Sequence, residues 1–168
     1  MASTRNFLFL QGPHGPFFAQ LGHRLRETGA QVWRIGFNAG DAAFWGRSPG
    51  YIPFQGTLND WPDVLAQMLT AHEITDIALY GDTRPIHTEA VRQAKAAGIR
   101  MHIFEEGYLR PYWITYERDG SNGHSRLMNI DLAQMQAAPG TDIPVPPAQW
   151  GDMRQHIFYG ALYHWFVL

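Results

Sequence analysis

The residues best suited to chemistry stand in the segment Glu105-Glu106-Gly107-Tyr108-Leu109-Arg110-Pro111. A short apolar run typical of a strand precedes the segment, and its glycine permits a sharp turn. A carboxylate held at such a turn can act as a nucleophile or a base while a nearby guanidinium holds an anionic substrate. Because successive side chains of a strand point to opposite sides, we expect one of Glu105 and Glu106 to face a cleft. The alternative is a solvated pair of glutamates at a strand end.

A second cluster is the glycine-rich loop Gln11-Gly12-Pro13-His14-Gly15-Pro16, which follows another apolar run. Gly12 and Gly15 allow the backbone to approach a ligand, although their spacing is neither that of a dinucleotide fingerprint nor that of a P-loop. His14 can exchange a proton with a substrate hydroxyl. A plain structural turn with a solvated histidine is the competing interpretation.

The third cluster, Gly81-Asp82-Thr83-Arg84, also follows an apolar run and precedes a helical pattern. The planar guanidinium of Arg84 is suited to a phosphate or an acidic sugar. Asp82 can line the same site, or it can do no more than cap the helix that follows.

Composition excludes several classes of site. The chain of 168 residues has no cysteine, which rules out disulfides, thiol nucleophiles and cysteine-ligated metals. Its 13 basic and 15 acidic residues give a formal charge of -2, without the basic excess that nucleic acid requires. The histidines show no metal-binding spacing, and no serine lies in a nucleophile elbow. The first apolar run is too short for a signal peptide or a membrane span, so we expect a cytoplasmic location.

These clusters need elements that bring strand ends together. Apolar runs alternate with amphipathic stretches through the first two-thirds of the chain, which predicts an α/β fold with a Rossmann-like parallel sheet and helices on both faces. In such a sheet ligands bind beyond the carboxyl ends of the strands, where all three clusters fall. The predicted strands are 6–10, 31–36, 75–80 and 99–104, and the predicted helices begin near Phe17, Asp60 and Pro85.

The remaining segments are expected to be less regular. Residues 37–57 show no period and predict a long loop, whereas 113–118 predict an extra strand and 130–136 a short helix. We divide the chain into a Rossmann-like domain (1–138), a proline-rich connector (139–154) and an apolar helix (155–168). That helix is apolar on nearly every side, so it must pack on the domain, on a partner or on a further domain.

Three motifs stand in order along the chain: Gln11-Gly12-Pro13-His14-Gly15-Pro16-Phe17-Phe18, Leu79-Tyr80-Gly81-Asp82-Thr83-Arg84-Pro85, and Phe104-Glu105-Glu106-Gly107-Tyr108-Leu109-Arg110-Pro111-Tyr112-Trp113-Ile114-Thr115. Together they resemble the capsule polysaccharide biosynthesis and export family of Gram-negative bacteria, of the KpsS/LipB type. The likeness runs from about Asn6 to the end of the sequence. Any one motif alone is weak, but the three in order are specific.

The resemblance implies a glycosyltransferase. Family members are similar to two-domain, GT-B-like β-Kdo transferases that use CMP-Kdo as the donor and no further cofactor, and the KpsS type is thought to place the first Kdo on a phosphatidylglycerol-type lipid. The implied reaction is a retaining transfer in two displacements, in which Glu106 matches the nucleophile position, an aspartate in related enzymes. Glu105 and Arg110 would stand beside it. The substrate would be bound by Gly12, His14, Gly15, Asp82, Arg84, Gly107 and Tyr108.

The family's chains are roughly twice as long, so this chain resembles their amino-terminal half. Their later half supplies much of the nucleotide site, including a His-Pro motif that this sequence lacks. We therefore expect weak transfer, or none, from these residues alone.

The partners implied by the resemblance are a nucleotide-sugar donor, a lipid acceptor at the membrane surface and other capsule proteins, with the protein peripheral on the inner membrane. One alternative is a non-catalytic module of capsule export that binds glycolipid or partner proteins. Another is a nucleotide-sugar-binding α/β protein of a different pathway.

Overall fold

The computed structural model describes residues 4–107, 113–131, 133 and 153–167. In these residues the strands are β1 Asn6–Phe9, β2 Gln31–Gly36, β3 Tyr51–Pro53, β4 Asp76–Tyr80, β5 Arg100–Glu106 and β6 Ile114–Arg118. The α-helices are α1 Phe17–Glu27, α2 Ala39–Trp45, α3 Trp61–Ala71, α4 Pro85–Ala97 and α5 Arg154–Val167. Two short 3-10 turns, Asn122–His124 and Arg126–Asn129, follow β6.

One six-stranded sheet carries the strands in the order β3-β2-β1-β4-β5-β6. Strands β1 to β5 are parallel, and β6 pairs antiparallel with β5. This is the strand order of the Rossmann fold, in which the winding direction reverses between β1 and β4 and leaves a crevice at the carboxyl ends. The predicted α/β fold is confirmed, with one antiparallel strand added at the edge of the parallel sheet.

Apolar side chains project from both faces of the sheet, as is expected of parallel strands that helices cover on both sides. On one face the core joins the strands to α3 and α4 through Leu8, Ile77, Leu79, Ile103, Trp61, Leu65, Ala90 and Ala94. On the other face it joins them to α1 and α2 through Phe7, Phe9, Val32, Phe18 and Trp45. The strand ends that carry the candidate residues are therefore fixed from both sides.

Local sequence signals set the helix ends. Both α3 and α4 carry a proline in the first turn, where its fixed φ suits the helix and its missing N–H costs nothing. Gly98 ends α4 in the left-handed conformation with φ +66, which glycine adopts without strain. These signals explain why α3 and α4 begin close to where the sequence predicts.

The structure corrects the expected loop at 37–57, which contains α2 and β3. The seven residues of α2 are too few to show a helical period, and its start is fixed by Asn38, whose side-chain oxygen accepts the N–H of Asp41 at 2.9 Å. The three residues of β3 are a strand because they pair with β2. The helix predicted at 130–136 lies mostly outside the described residues.

Strand β5 runs two residues beyond its predicted end. Its antiparallel partner β6 pairs Thr115 with Glu105 and Ile114 with Glu106, so both glutamates belong to the strand rather than to the loop after it. Within the part of the chain described, no helix combines the length and the apolar character needed to cross a bilayer.

Candidate functional site

A cleft of about 440 Å³ opens at the carboxyl ends of β4 and β5. Two of the three predicted clusters meet there, the loop after β4 and the end of β5. The cleft lies next to the reversal between β1 and β4, the position at which Rossmann sheets bind ligands. Its lining residues are Tyr80, Gly81, Thr83, Arg84, Glu105, Glu106, Gly107, Thr115 and Asn122.

Glu105 is held on the wall of this cleft by two donors from the turn after β6. Its Oε1 accepts the hydroxyl of Ser121 at 2.7 Å, and its Oε2 accepts the side-chain amide of Asn122. Two hydrogen bonds to one carboxylate hold its side chain in one orientation. The carboxylate of Glu105 is thus fixed in orientation on the cleft wall.

Glu106, the last residue of β5, also lines the cleft. Its Oε1 lies 3.7 Å from Nε2 of His156 on α5, and its side chain is 37% exposed. The expectation that only one of the two glutamates faces a cleft is therefore not met. The cavity opens at the end of the strand instead of on one face of the sheet, so side chains from both faces reach it.

Two glycines among the predicted site residues have a packing reason for being glycine. The N–H of Gly107 donates to the carbonyl of Trp113 at 2.9 Å, and a Cβ on Gly107 would lie 2.5 Å from that oxygen. A Cβ on Gly12 would lie 2.7 Å from the ring of Phe18. Only Gly107 of these two borders the cleft.

Asp82 lies behind the cleft wall and not on it. Its side chain is buried, and its Oδ2 accepts the N–H of Ser121 at 3.2 Å and lies 3.0 Å from Nδ1 of His124. It does not cap α4, whose N-cap residue is Arg84. Asp82 therefore ties the loop after β4 to the turn that carries Ser121, and it supports Glu105 indirectly.

Arg84 lines the cleft and is joined to the loop after β1. Its Nη1 donates to Oε1 of Gln11 at 2.5 Å, a hydrogen bond that crosses the reversal of the sheet. Gln11 in turn donates from Nε2 to the phenol oxygen of Tyr163 on α5 at 3.0 Å, and Asn38 donates to the same oxygen at 2.7 Å. No carboxylate of the described residues lies within ion-pair distance of Arg84. The cleft therefore contains a positive charge that is fixed in place and has no acidic partner in the described chain.

His14 packs on α5 and does not line the cleft. Its ring stacks on Tyr163 with 4.3 Å between ring centres and meets His164 edge-on at 5.3 Å. Desolvation against the helix lowers the pKa of His14, and the positive charges of His164, Arg84 and His156 lower it further. His14 thus belongs to the electrostatic surroundings of the cleft without forming its wall.

Helix α5 lies across the carboxyl edge of β1 and β2. Its Tyr163 is buried, and Gly40 permits the approach, since a Cβ there would lie 2.6 Å from the Tyr163 ring. A Cβ on Gly15, which has φ +123, would lie 3.1 Å from Tyr159. The helix predicted at 155–168 is confirmed, and one side of it packs on the domain. The side chains exposed elsewhere on α5 include Ile157, Phe158, Trp165, Phe166 and Val167.

Part of the predicted site lies outside the described residues, namely Tyr108, Leu109, Arg110 and Pro111. The roles expected for Arg110 and Tyr108 therefore stay predictions. Among the residues that the structure does describe, no group of three or more histidine, aspartate or glutamate side chains is arranged to hold a metal ion.

Sequence reasoning missed four residues that position the site. Ser121 and Asn122 follow the predicted turn at Asp119-Gly120, and a polar pair directly after a turn was the only local signal they offered. Gln11 stands in the glycine-rich loop, but nothing local indicates that it bonds Arg84. Tyr163 is one aromatic residue among several in an apolar helix, and only the fold identifies it as the buried one.

Fold and site together define an α/β domain with a polar cleft at the reversal of a Rossmann-ordered sheet. The family model described as "Capsule polysaccharide biosynthesis protein" matches residues 75–154, which include β4, β5 and the cleft residues on them. The chain belongs to this capsule polysaccharide biosynthesis family, as the resemblance of its motifs predicts.

Two relatives show the extent of the match. Capsule polysaccharide export protein KpsS of Escherichia coli is 41% identical over 127 residues, which cover 76% of this chain and 32% of that protein. Capsule polysaccharide modification protein LipB of Neisseria meningitidis serogroup A is 40% identical over 128 residues, which cover 76% of this chain and 30% of that protein. The matched region therefore spans about a third of each relative's length.

Among solved structures, the chain is similar to the Bordetella bronchiseptica enzyme WbmG in complex with NAD. The TM-score is 0.46 at 15% sequence identity, and the match covers 67% of this chain and 41% of that one. The same enzyme in complex with NAD and UDP gives a TM-score of 0.44 at 15% identity, over 58% of this chain and 36% of that one.

Proposed function

We propose that this protein takes part in the transfer of Kdo from CMP-Kdo to a phosphatidylglycerol-type lipid, as the acceptor-side domain of a retaining glycosyltransferase that starts the capsule linker. The observation that carries the proposal is the pair of adjacent carboxylates in the cleft, one fixed by two donors and the other beside it at the strand end. The names of the relatives, a capsule export protein and a capsule modification protein, support the pathway.

Glu106 acts as the nucleophile in this proposal. Its carboxylate attacks the anomeric carbon of Kdo while the bond from that carbon to the CMP phosphate breaks, and CMP leaves with the electron pair. The acceptor hydroxyl then attacks the same carbon, the ester to Glu106 breaks, and the carboxylate is restored. Glu105 takes the proton of the hydroxyl. Two inversions at one carbon give net retention.

Arg84 balances the negative charge of the reactants. Kdo carries a carboxylate and the leaving group a phosphate, and a guanidinium binds either of them through its planar fork. Support for this role comes from the position of Arg84 on the cleft wall and from its hydrogen bond to Gln11, which limits its motion.

The acceptor is a lipid, so the cleft must work at a membrane surface. The exposed apolar side chains of α5 support a peripheral position there, because tryptophan and phenylalanine favour the membrane interface. The match covers only about a third of each relative, so we expect the donor nucleotide to need further residues and the chain alone to transfer weakly or not at all.

The same apolar side of α5 favours a second candidate, a non-catalytic module of capsule export that binds glycolipid or a partner protein. In that case the glutamates have a structural role only, and transfer does not depend on them.

The test is a chimera in which this chain replaces the matching region of E. coli KpsS, produced in a strain without that gene and assayed for Kdo transfer from CMP-Kdo to phosphatidylglycerol. We expect Glu106→Gln to lower transfer by about a thousandfold or more, as loss of a nucleophile does. Glu27→Gln, on the exposed side of α1, is the matched control and keeps full transfer. Transfer unchanged by Glu106→Gln contradicts the nucleophile assignment. Restored capsule export without Kdo transfer supports the second candidate.

A further inference from the structure

Three histidines, His14, His156 and His164, lie in a row along the contact between α5 and the loop after β1. Residues 156, 160 and 164 lie on one side of α5, because positions four apart are neighbours on a helix. The middle position is Gly160, and the ring of His14 fills the space beside it, with its Nδ1 3.9 Å from where a Cβ would stand. His14 therefore sits between His156, one turn earlier, and His164, one turn later, whose ring centre is 5.3 Å away.

Among the described residues near this row, groups that are positive or become positive on protonation outnumber carboxylates. The charged and titratable groups that face His14 are His156, His164 and Tyr163 of α5, Arg84 of the loop after β4, and Glu106 of β5. The row continues into the cleft, since His156 lies 3.7 Å from Glu106 and Arg84 forms part of the cleft wall. Among the residues that the structure describes, this group contains three imidazoles, a guanidinium and the carboxylate of Glu106.

We propose that His14, His156, His164 and Arg84 form an anion-binding subsite at the edge of the cleft, which takes a phosphate or carboxylate group together with a proton. The inference rests on the proposed function for the identity of the anion, which would belong to the nucleotide sugar or to the lipid headgroup. Binding itself requires no transfer chemistry.

Anion binding at this subsite is expected to be coupled to protonation of His14, because the three imidazoles and Arg84 lie close together. Without an anion, desolvation lowers the pKa of His14, and repulsion from Arg84 and from protonated His164 and His156 lowers it further. An anion bound beside the rings offsets this repulsion and accepts hydrogen bonds from the N–H groups of protonated imidazoles. By linkage, protonation of the histidines then raises the affinity for the anion, and the bound anion raises the pKa of His14. Affinity therefore rises as the pH falls, by up to about tenfold per pH unit for each proton taken up.

The test is NMR of the histidine Cε1–H resonances in the 168-residue chain between pH 5.5 and 8, in sodium chloride and in sodium sulfate at equal ionic strength. Sulfate does not titrate in this range, so any proton uptake belongs to the protein. We expect sulfate to raise the pKa of His14, to move the His156 and His164 resonances, and to bind more tightly at pH 6 than at pH 8. The resonance of His23, exposed on α1, is the internal control and does not move.

Variants distinguish this subsite from general screening. His14→Asn and Arg84→Gln should each weaken sulfate binding about tenfold or more, whereas His23→Asn should not change it. Sulfate binding that is independent of pH, that moves His23 as much as His14, or that survives both variants would overturn the proposal.

The source of the anion is resolved by two further titrations at pH 6, with CMP and with dihexanoyl-phosphatidylglycerol below its micelle concentration. Dihexanoyl-phosphatidylcholine, which has no net charge, is the control lipid. Shifts with CMP assign the subsite to the nucleotide, and shifts with the glycerol lipid but not the choline lipid assign it to the acceptor. If neither ligand moves the His14 resonance, the proposed subsite is wrong.

The transfer assay separates this subsite from the proposed function. If sulfate and one ligand bind but Glu106→Gln leaves transfer intact, the subsite stands and the proposed nucleophile fails.

Discussion

Ser121 donates its hydroxyl to Oε1 of Glu105 at 2.7 Å, and this contact joins the turn after β6 to the end of β5. The backbone N–H of Ser121 also donates to Asp82, so one residue connects the two strand-end clusters on either side of the cleft. The orientation of Glu105 therefore depends on a residue with no chemistry of its own.

We predict that Ser121→Ala lowers Kdo transfer in the chimera by about tenfold, because Glu105 loses one of two fixed donors, each worth roughly 1 kcal/mol or somewhat more. The backbone bond to Asp82 remains, so thermal unfolding should shift by only a few degrees. The measurement is the transfer rate beside a thermal melt. Ser48→Ala, in the loop after α2, is the control, and an equal loss of transfer in both variants would show that the hydroxyl of Ser121 has no specific role.

Tyr163 is the buried anchor of α5, and Tyr163→Phe should loosen that helix. The change removes the oxygen that accepts hydrogen bonds from Gln11 and Asn38, at a cost of about 1–3 kcal/mol for the donors left unpaired. We expect faster hydrogen exchange in α5 with little change in β1 to β5. The matched control is Tyr159→Phe, whose hydroxyl accepts, within the described part of the chain, one hydrogen bond from the exposed Gln155. Equal exchange in both variants would contradict the anchoring role.

His87 makes stability depend on pH. It is fully buried on α4, with Nδ1 2.6 Å from the carbonyl of Gly81, and burial lowers its pKa to about 4. An ordinary histidine titrates near pH 6.5, so the unfolded chain binds the proton more readily than the folded one between pH 6.5 and 4. The contribution of His87 to the free energy of unfolding is therefore fully present above about pH 6.5. It is lost as the pH falls toward 4, by an amount of the order of 3 kcal/mol.

Urea unfolding at pH 7.5, 6, 5 and 4.5 measures this dependence. We expect His87→Gln to be less stable than the parent at pH 7.5 but to lose less stability on acidification. His23→Gln, at an exposed position on α1, should follow the parent curve. An unchanged pH slope in His87→Gln would show that His87 does not titrate across unfolding.

The sheet could be predicted from sequence because its signals are local. The run 31–36 coincides with β2, and the prolines and glycines that bound α3 and α4 act within a few residues of themselves. The strand order and the added length of β5 depend on pairing with residues far along the chain, and no local pattern reports that.

The buried ion pair between Arg34 and Asp41 is another feature that local sequence patterns could not predict. Nη2 of Arg34 donates to Oδ1 of Asp41 at 2.8 Å, with both side chains almost fully buried. The sequence places Arg34 in a strand and Asp41 in an irregular stretch, and only the packing of α2 under the sheet brings them together. Burial lowers the pKa of Arg34, and the carboxylate of Asp41 opposes that effect.

For the candidate site, residue types at strand ends predicted which side chains to examine, and Glu105, Glu106, Gly107 and Arg84 do line one cleft. The position of Asp82 behind the wall and of His14 against α5 could not be predicted. Asp82 is positioned by Ser121 and His14 by Tyr163, and each of these partners is at least 39 residues away in the sequence.

The most direct test of the central claim is mass spectrometry of the chimera after brief reaction with CMP-Kdo in the absence of acceptor. The account predicts a peptide that contains Glu106 and carries one covalently bound Kdo, which disappears when phosphatidylglycerol is added and does not form in Glu106→Gln. An adduct that persists in Glu106→Gln, or transfer that proceeds with inversion and without any adduct, would contradict it.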